Sequence, residues 1–306
     1  MISILSPFYN EELGVKSFFD VIIPVMESIG DDFEIVCVND DSTDNTLHEL
    51  NERAKVDKRI RVIDLSRNFG KEASLTAAID FALGDAVIPI DVDLQDPPQI
   101  IKDMVEKWKE GFDVVLAKRV DRNSDSFLKR FTASAFYKIH NIISEPSIPE
   151  NVGDFRLMSR EVVEAIKKLP ERHRFMKGLF AWVGFKSCVI GYTRNARSTG
   201  STKFNGWKLW KLAVEGITSF STFPLTMWLY LGGIITFCSF SYAVFIFMRT
   251  LIYGIELPDY ASMICLILFL GGLQLVGIGV IGEYLCRTYI ESKQRPIYIV
   301  RENKIE

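Results

Sequence analysis

The chain has 306 residues, which is enough for one large domain or two modest ones. Its formal net charge of −3 and the lack of a basic block argue against nucleic-acid binding. Its five cysteines contain no C-x-x-C pair, which disfavours a zinc site or a disulfide framework and favours reduced thiols. The first eight residues lack a basic segment, so we expect no signal peptide.

Residues 1 to about 204 predict strands that alternate with helices. Short runs rich in β-branched residues predict strands near 2–6, 33–38, 60–65, 87–90, 112–117 and 185–192, and helical segments separate the first five. This alternation is typical of an α/β fold with a mostly parallel, doubly wound sheet. In residues 151–157, Gly153 is followed directly by Asp154, and we predict a close turn there.

Polar side chains follow each of the first four predicted strands. The carboxyl ends of parallel strands meet at one edge of a sheet, and ligands of open α/β sheets bind at that edge. No G-x-x-x-x-G-K-[ST] motif and no G-x-G-x-x-G after the first strand is present, which disfavours a P-loop nucleotidase and a dinucleotide dehydrogenase. The side chains expected at the edge, in chain order, are Tyr9 and Glu11, Asp40 and Asp41, Arg67 and Lys71, and Asp91 and Asp93.

The fourth predicted strand ends in the most informative pattern, Asp91-Val92-Asp93-Leu94-Gln95. On an extended chain Asp91 and Asp93 face the same way, and Gln95 continues that face. Two adjacent carboxylates repel unless a hard divalent cation or a cation-bridged phosphate neutralises them. A solvated acidic turn is the alternative. If a cation binds here, we predict that Asp93 and Gln95 hold it and that it bridges the diphosphate of a nucleotide-linked donor.

Two long apolar runs follow. Residues 223–248 and 261–282 carry no charge, and each exceeds the roughly 20 residues that cross a hydrocarbon core. We predict transmembrane helices at about 223–248 and 261–285, with buried core helices as the alternative. Lys and Arg lie before the first run and after the second, with only Arg249 between them. The positive-inside bias therefore predicts a multi-pass protein of the cytoplasmic (inner) membrane, with the N-terminal domain and both termini in the cytoplasm.

Two further segments flank these runs. Residues 205–222 contain Trp207 and Trp210 with Lys208 and Lys211, which predicts an amphipathic helix in the membrane interface; an ordinary surface helix is the alternative. The tail is basic, and its short apolar run at 297–300 is compatible with a strand that pairs with a neighbouring subunit of a homo-oligomer. The predicted organisation is a cytoplasmic domain at 1–204, an interfacial helix at 205–222, two transmembrane helices within 223–286 and a tail at 287–306.

Six motifs occur in an order that resembles the GT-A glycosyltransferases of the GT2 type. With the two apolar runs, the chain resembles the polyprenyl-phosphate glycosyltransferases, most closely the bacterial and phage bactoprenol glucosyltransferases, and is related to the dolichyl-phosphate mannose synthases. The motifs are P-F-Y-N-E-E at 7–12, V-N-D-D-S-T-D-N-T at 38–46, S-R-N-F-G-K-E at 66–72, D-V-D-L-Q-D-P-P at 91–98, V-G-D-F-R-L at 152–157 and R-S-T-G-S-T-K-F at 197–204.

The resemblance implies a GT-A (Rossmann-like) domain and the inverting transfer of a sugar from a nucleotide donor to polyprenyl phosphate. It implies that Asp93 and Gln95 bind Mg²⁺ or Mn²⁺. Val92 stands where a small residue is usual, and its side chain is expected to point away from the metal. The residues expected to bind the nucleotide sugar are Pro7, Tyr9, Glu11, Asp40, Asp41, Arg67, Lys71 and Asp91.

The resemblance also assigns residues to catalysis and to the acceptor. Asp93 and Arg119 are expected to act on the phosphates. Asp154 occupies a position that often carries a general base, but a phosphate acceptor is already largely dianionic near neutral pH. Asp154 is therefore expected either to act as a base or to position the acceptor. The residues expected on the acceptor loop are Arg197, Ser201 and Lys203.

The leading hypothesis is transfer of glucose from UDP-glucose to undecaprenyl phosphate at the cytoplasmic membrane face, for cell-surface glycan modification. One alternative keeps the chemistry with another donor, such as GDP-mannose or a UDP-aminoarabinose derivative. A catalytically inactive membrane scaffold is a second alternative, which is disfavoured by the intact Asp91, Asp93, Gln95 and Arg197. A processive polysaccharide synthase is disfavoured because two spans are few for a channel and no Q-x-x-R-W motif is present.

Overall fold

The computed structural model of the chain describes residues 1–120, 152–172, 174–193, 221–253 and 260–301. The predicted acceptor residues Arg197, Ser201 and Lys203 lie outside these described residues, as does nearly all of the predicted interfacial helix at 205–222.

Within the described residues, seven strands form one mixed sheet in the order β3-β2-β1-β4-β6-β5-β7. The pairs β1–β2, β1–β4, β2–β3 and β5–β7 are parallel, and β6 runs antiparallel between β4 and β5. The predicted mostly parallel α/β sheet is therefore confirmed. The strands are β1 (Ile2–Phe8), β2 (Phe33–Asn39), β3 (Ile60–Asp64), β4 (Ala86–Pro89), β5 (Val114–Arg119), β6 (Val152–Ser159) and β7 (Ser187–Tyr192).

Helices cover both faces of the sheet, which is why the inner strands are apolar on both sides. In β2, Ile35 and Cys37 belong to the core under one face, and Val36 and Val38 to the core under the other. Residues of α1, α2 and α4 fill the first core, and residues of α3, α5 and α6 fill the second. These helices are α1 (Glu12–Ile29), α2 (Thr46–Val56), α3 (Lys71–Phe81), α4 (Ile100–Lys109), α5 (Arg160–Lys167) and α6 (Met176–Trp182).

The chain changes direction across the sheet between β1 and β4. From β1 it continues to β2 and β3 on one side, whereas β4 lies on the other side of β1. Such a switch point opens a crevice at the carboxyl ends of the two strands concerned. The Ser6 hydroxyl donates a hydrogen bond to the Ile90 carbonyl (2.9 Å), which fixes the two strand ends against each other. The fold therefore places a crevice at the edge where the sequence predicts polar side chains.

The predicted close turn at residues 151–157 is wrong, because this segment forms strand β6. Phe155 and Leu157 are buried in one core, and Val152 and Met158 in the other. The strand fills the gap between β4 and β5, where both of its faces are covered. Strand β6 also carries Asp154 to the edge of the sheet that holds the crevice.

Two long helices follow the domain: α7 (Phe223–Tyr253) and α8 (Tyr260–Ser292). In α7 the stretch Phe223–Tyr242, and in α8 the stretch Phe269–Ser292, are long and apolar enough to cross a membrane by length and composition. Almost nothing of either stretch is buried within the protein, so the alternative of two soluble core helices is wrong. The helices touch where the Trp228 ring lies against Gly277, at which an added Cβ would come within 3.3 Å of the ring.

Replacing Gly84 with alanine should destabilise the sheet. The Gly84 amide donates to the Ser3 hydroxyl (2.7 Å), and a Cβ at this position would lie 2.6 Å from the Ser3 nitrogen. Relieving that overlap requires a backbone shift, which typically costs about 1–3 kcal/mol. We expect a lower melting temperature for G84A in detergent. D85A, which removes only an exposed ion pair with the N-terminal amine, should leave it nearly unchanged. Equal melting temperatures for G84A and D85A would contradict this packing.

Candidate active site

A cavity of about 410 Å³ lies at the carboxyl edge of the sheet, beside the ends of β1 and β4. Its size is in the range that small-molecule sites usually have. Seven of the predicted site residues contribute to its wall, together with four residues that the sequence did not single out and with Val92. The lining residues are Pro7, Phe8, Tyr9, Glu11, Asp40, Asn68, Gly70, Lys71, Ser74, Asp91, Val92 and Asp93.

The loops after β1 and β2 are hydrogen-bonded to each other at the rim of this cavity. The Asn10 amide donates to the Ser42 hydroxyl (3.0 Å), and the Thr43 amide donates back to the Asn10 side chain (2.8 Å). The Glu11 amide donates to the hydroxyl of Thr46 (2.9 Å). The rim is therefore held in place by the protein itself, so a ligand that binds there finds it already ordered.

Asp40 joins this rim to the loop before α3. One oxygen of its carboxylate accepts the Phe69 amide (2.7 Å) and the other accepts the Gly70 amide (2.9 Å). Gly70 has a φ of +94°, a conformation that glycine adopts without a steric penalty. Asp40 thus shapes the loop that delivers Lys71. The contact of Asp40 with the nucleoside stays a prediction. If the contact is made, the Asp40 carboxylate makes it while accepting the Phe69 and Gly70 amides.

Lys71 connects two carboxylates that are far apart in sequence. Its ammonium lies 2.7 Å from an Asp91 oxygen and 3.0 Å from an Asp154 oxygen. Lys71 is the first residue of α3, Asp91 follows β4, and Asp154 lies on β6. The sequence predicted Lys71 and Asp91 at one edge, but no signal in it indicated that Asp154 shares the same ammonium.

The charges of this triad fix its protonation. Burial alone would lower the pKa of the Lys71 ammonium, but Asp91 and Asp154 outweigh burial and raise it. Burial would raise the pKa of Asp154, but the positive charges of Lys71 and Lys177 hold it below its usual value. Asp154 is therefore ionised near neutral pH. Its second oxygen, Oδ1, is buried and has no hydrogen-bond partner among the described residues.

The prediction that Asp91 and Asp93 lie on an extended strand is wrong. Strand β4 ends at Pro89, and a turn follows in which the Leu94 amide donates to the Asp91 carbonyl (3.3 Å) and Leu94 has a φ of +47°. The two carboxylates take different partners, since Asp91 pairs with Lys71 and Asp93 accepts the Gln95 amide. Mutual repulsion of the two carboxylates is therefore relieved in part by Lys71. Val92 between them is buried in the core.

Asp93 and Gln95 fit a hard divalent cation. The Gln95 amide nitrogen lies 2.7 Å from an Asp93 oxygen, so the polar ends of the two side chains lie side by side. Turning the amide over would present its carbonyl oxygen instead, and such oxygen donors suit Mg²⁺ or Mn²⁺. No group of three or more His, Cys, Asp and Glu side chains in the described parts of the chain could hold a metal ion. An ion here would therefore need phosphate oxygens or water as further ligands, as Mg²⁺ sites commonly have.

Glu72 adds a further half-buried carboxyl group beside the triad. Burial, and then the charge of Asp154, raise the pKa of Glu72 to about 7. The amide of Met176 donates to its carboxylate (3.2 Å), and the charges of Lys71 and Lys177 offset part of the increase. The sequence placed Glu72 inside a motif but assigned it no role. Its raised pKa places the change of its own charge near neutral pH.

The remaining predicted residues lie away from the cavity wall. Arg67 stacks on the Phe69 ring with its guanidinium 4.1 Å from the ring centre. Asp41 forms an ion pair with Arg301 (2.9 Å). Arg119 is the last residue of β5, at the same edge of the sheet, in register with Tyr192 of β7. The structure thus brings Arg119 to the correct edge without bringing it to the cavity, and the roles of all three stay predictions.

Comparison with known proteins agrees with this architecture. The chain matches glycosyl transferase family 2 over residues 3–167, more than half of its length. It is 54% identical over 303 residues to the bactoprenol glucosyl transferase of Shigella phage SfV, covering 99% of each chain. It is 52% identical over 303 residues to the prophage bactoprenol glucosyl transferase homolog of Escherichia coli K12, again covering 99% of each. An uncharacterized glycosyltransferase of Synechocystis is 51% identical over 301 residues, with 98% of this chain and 95% of that protein covered.

Solved structures give weaker likenesses. The glucosyl-3-phosphoglycerate synthase from Mycobacterium tuberculosis overlaps with a TM-score of 0.48 at 18% identity, covering 71% of this chain and 77% of that one. This overlap carries no argument about the site. The family match and the full-length relatives show that the chain belongs to glycosyl transferase family 2 and is a glycosyltransferase.

Replacing Glu72 with glutamine should change the pH dependence of stability. The folded pKa of about 7 lies above the ordinary value of 4.5, so the folded protein binds more protons than the unfolded chain between these pH values. The free energy of unfolding of the wild type should therefore fall as the pH rises through this window, by an amount on the order of 2 kcal/mol. E72Q, which stays neutral, should lose that decline.

Thermal unfolding in detergent at pH 5, 6, 7 and 8 measures the effect. The melting temperature of E72Q relative to the wild type should rise with pH. The exposed carboxylate of Glu106 on α4 supplies a matched control, E106Q, which should follow the wild type at every pH. Parallel curves for the wild type and E72Q would contradict a raised pKa at Glu72.

Proposed function

We propose that the protein transfers glucose from UDP-glucose to a polyprenyl phosphate, such as undecaprenyl phosphate, at the cytoplasmic face of the inner membrane. An oxygen of the lipid phosphate forms a bond to the anomeric carbon, the bond from that carbon to the diphosphate breaks, and UDP leaves. Attack opposite to the leaving group inverts the anomeric centre. The product, polyprenyl-phosphate glucose, serves in the modification of cell-surface glycans.

The observation that carries the proposal is the ion triad of Lys71, Asp91 and Asp154 beside the cavity. It occurs in a chain that aligns over 99% of its length with proteins named bactoprenol glucosyl transferases. That name supports both the sugar and the lipid acceptor, because bactoprenol is a polyprenol. The preformed rim after β1 and β2 supports a nucleotide sugar as the other substrate, since it offers a fixed polar pocket at the switch point.

The two apolar helices support a lipid acceptor and a membrane location. They come after the domain in the chain, and both could cross a membrane. After α8 the chain returns to the domain, where the Arg301 amide donates to the Asp64 carbonyl (2.8 Å). If both helices cross, the domain and this part of the tail therefore lie on the same side. The Lys and Arg residues that flank the apolar runs favour the cytoplasmic side.

A divalent cation fits the proposal through Asp93 and Gln95, which would hold it. When bound, Mg²⁺ or Mn²⁺ supplies positive charge that stabilises the departing diphosphate. The protein's own contribution lies beside it. Lys71 adds a permanent positive charge at the cavity wall, and through Asp91 it fixes the turn that carries Asp93. Arg119, Arg197, Ser201 and Lys203 are proposed to act on the donor and acceptor phosphates.

Asp154 is proposed to position the acceptor rather than to deprotonate it. Its partner Lys71 holds one carboxylate oxygen, and the other oxygen has no partner among the residues described. A phosphate monoester loses its second proton near pH 6, so its nucleophilic oxygen is already largely ionised at neutral pH. Lys71 can attract that phosphate, while Asp154 keeps the ammonium in place.

A transfer assay on the full chain in detergent tests the proposal. UDP-glucose, GDP-mannose and UDP-galactose, each radiolabelled, are offered separately with undecaprenyl phosphate and with Mg²⁺, Mn²⁺ or a chelator. We expect lipid-extractable label from UDP-glucose alone, and only with a metal ion. Product from another donor would overturn the choice of sugar, and label that transfers equally well in chelator would overturn the metal.

Replacing Asp93 with asparagine should lower kcat by about 100-fold, a typical cost of removing one group that stabilises developing charge. D93N should also lose the thermal stabilisation that added Mn²⁺ and UDP give the wild type, which is a readout independent of turnover. D103N makes the same chemical change on the exposed surface of α4 and should behave like the wild type in both measurements. Near-normal turnover in D93N would refute its assignment.

Replacing Lys203 with alanine should raise the KM for polyprenyl phosphate by about 10-fold, as expected for loss of one charged hydrogen bond, with little change in the KM for the donor. Initial rates over a matrix of both substrate concentrations separate the two effects. K58A, which removes an exposed lysine in the turn between α2 and β3, is the control and should change neither value. An increase confined to the KM of the donor would contradict an acceptor role.

A further inference from the structure

The segment after α8 docks on the catalytic domain. Residues 298–301, which we name the C-terminal strap, run antiparallel to the end of β3, with Val300 bridged to Leu65. The Ser66 amide donates to the Ile299 carbonyl (2.9 Å), and the Arg301 amide donates to the Asp64 carbonyl (2.8 Å). The expectation that this apolar run pairs with a neighbouring subunit is therefore wrong for this structure, in which the run pairs within its own chain.

The side chain of Arg301 reaches the loops behind the cavity rim. One guanidinium nitrogen lies 3.0 Å from an oxygen of Asp64, whose side chain is almost fully buried. The other lies 2.9 Å from Asp41 and also donates to the Ser66 carbonyl (3.2 Å). A planar guanidinium can bridge several acceptors in this way, which a lysine cannot do in the same geometry.

Both partners of Arg301 are joined to the rim. The other oxygen of Asp64 accepts the Asn39 side-chain amide (2.6 Å), and Asn39 is the last residue of β2, directly before Asp40. Asp41 has a φ of +56°, an uncommon backbone conformation that aspartate adopts more readily than most other non-glycine residues. Arg301 is therefore in a position to hold the Asp40–Asp41 segment on which the loop before α3 depends.

The strap begins close to the end of the second apolar helix. The helix ends at Ser292, and its last turn is fixed to the domain because Glu291 accepts the Arg172 amide (2.8 Å). The Arg172 side chain also donates to the Arg295 carbonyl (2.8 Å). The path from the helix to Arg301 is thus held at both ends.

We propose that the C-terminal strap completes the donor side of the active site, with Arg301 as a positioning residue that fixes Asp41 and the Asn39–Asp64 pair. The strap also ties the donor side to the second apolar helix. This inference rests on the proposed function in one respect, because it takes the loops after β1 and β2 to hold the nucleotide donor.

Two measurements on full-length protein in detergent test it. The first is hydrogen exchange of backbone amides without substrate, in the wild type and in R301A. We expect residues 39–46 and 64–70 to exchange at least about 10-fold faster in R301A, since the ion pairs that order them are lost. The second is the transfer assay, in which R301A should raise the KM for UDP-glucose by about 10-fold and leave kcat within about two-fold.

The chain offers matched controls. Y298F removes a hydrogen bond from the same strap to Asp80 on α3 (2.9 Å), away from the rim, and should leave both the exchange of 39–46 and the donor KM unchanged. R301K keeps the positive charge but lacks the planar guanidinium that bridges two carboxylates. It should therefore show a smaller increase in exchange and in donor KM than R301A. In a double-mutant cycle with D41N, the effects on donor KM should be less than additive. If R301A does not fold, the double variant R301Q/D64N replaces it in both measurements, because it removes the buried Asp64 charge together with the Arg301 charge that compensates it.

The outcomes separate this inference from the proposed function. If the wild type transfers no glucose from UDP-glucose, the proposed function fails, and the exchange measurement still decides the role of the strap. Unchanged exchange of residues 39–46 in R301A overturns the strap, whatever the activity. A raised donor KM with unchanged exchange would mean that Arg301 contacts the donor itself, and it likewise overturns the positioning role.

Discussion

The rest of the site depends on one shared ammonium. Lys71 lies between Asp91 and Asp154, and without it two partly buried carboxylates would lie near each other with no compensating charge between them. Like charges held close together disfavour each other's ionised form, and an ammonium between them relieves that repulsion. The three partners come from α3, from the turn after β4 and from β6. The triad therefore joins three elements, and it sets the position of the turn that carries Asp93.

The sheet topology makes this triad possible. Strand β6 enters between β4 and β5 in the opposite direction, so the start of β6 lies at the edge where β4 and β5 end. A parallel strand in the same place would bring its other end to that edge. Asp154 is the third residue of β6, so the antiparallel direction is what brings its carboxylate to Lys71.

Local patterns predicted most of the fold and half of the site. Runs of β-branched residues identify six of the seven described strands, and the residues that follow them identify most of the cavity wall. Strand β6 was missed because two charged residues, Asp154 and Arg156, interrupt its apolar pattern. The sequence alone does not indicate that Arg156 is buried and stacks on the Phe180 ring. Pairings between distant residues were missed for a different reason. Nothing local indicates that Lys71 meets Asp154 or that Arg301 meets Asp41, because those contacts arise only from packing.

The protonation state of Asp154 bears on the acceptor. A general base works best when its pKa lies near the working pH, but Lys71 and Lys177 hold the pKa of Asp154 below its usual value. Such a carboxylate is a weak base toward an alcohol, whose oxygen must lose a proton before or during attack. A phosphate monoester makes no such demand, because its oxygen is already ionised. Lys71 stays protonated between the two carboxylates, but its charge is already shared by them. The lowered pKa of Asp154 therefore fits an acceptor that needs no deprotonation better than one that must lose a proton.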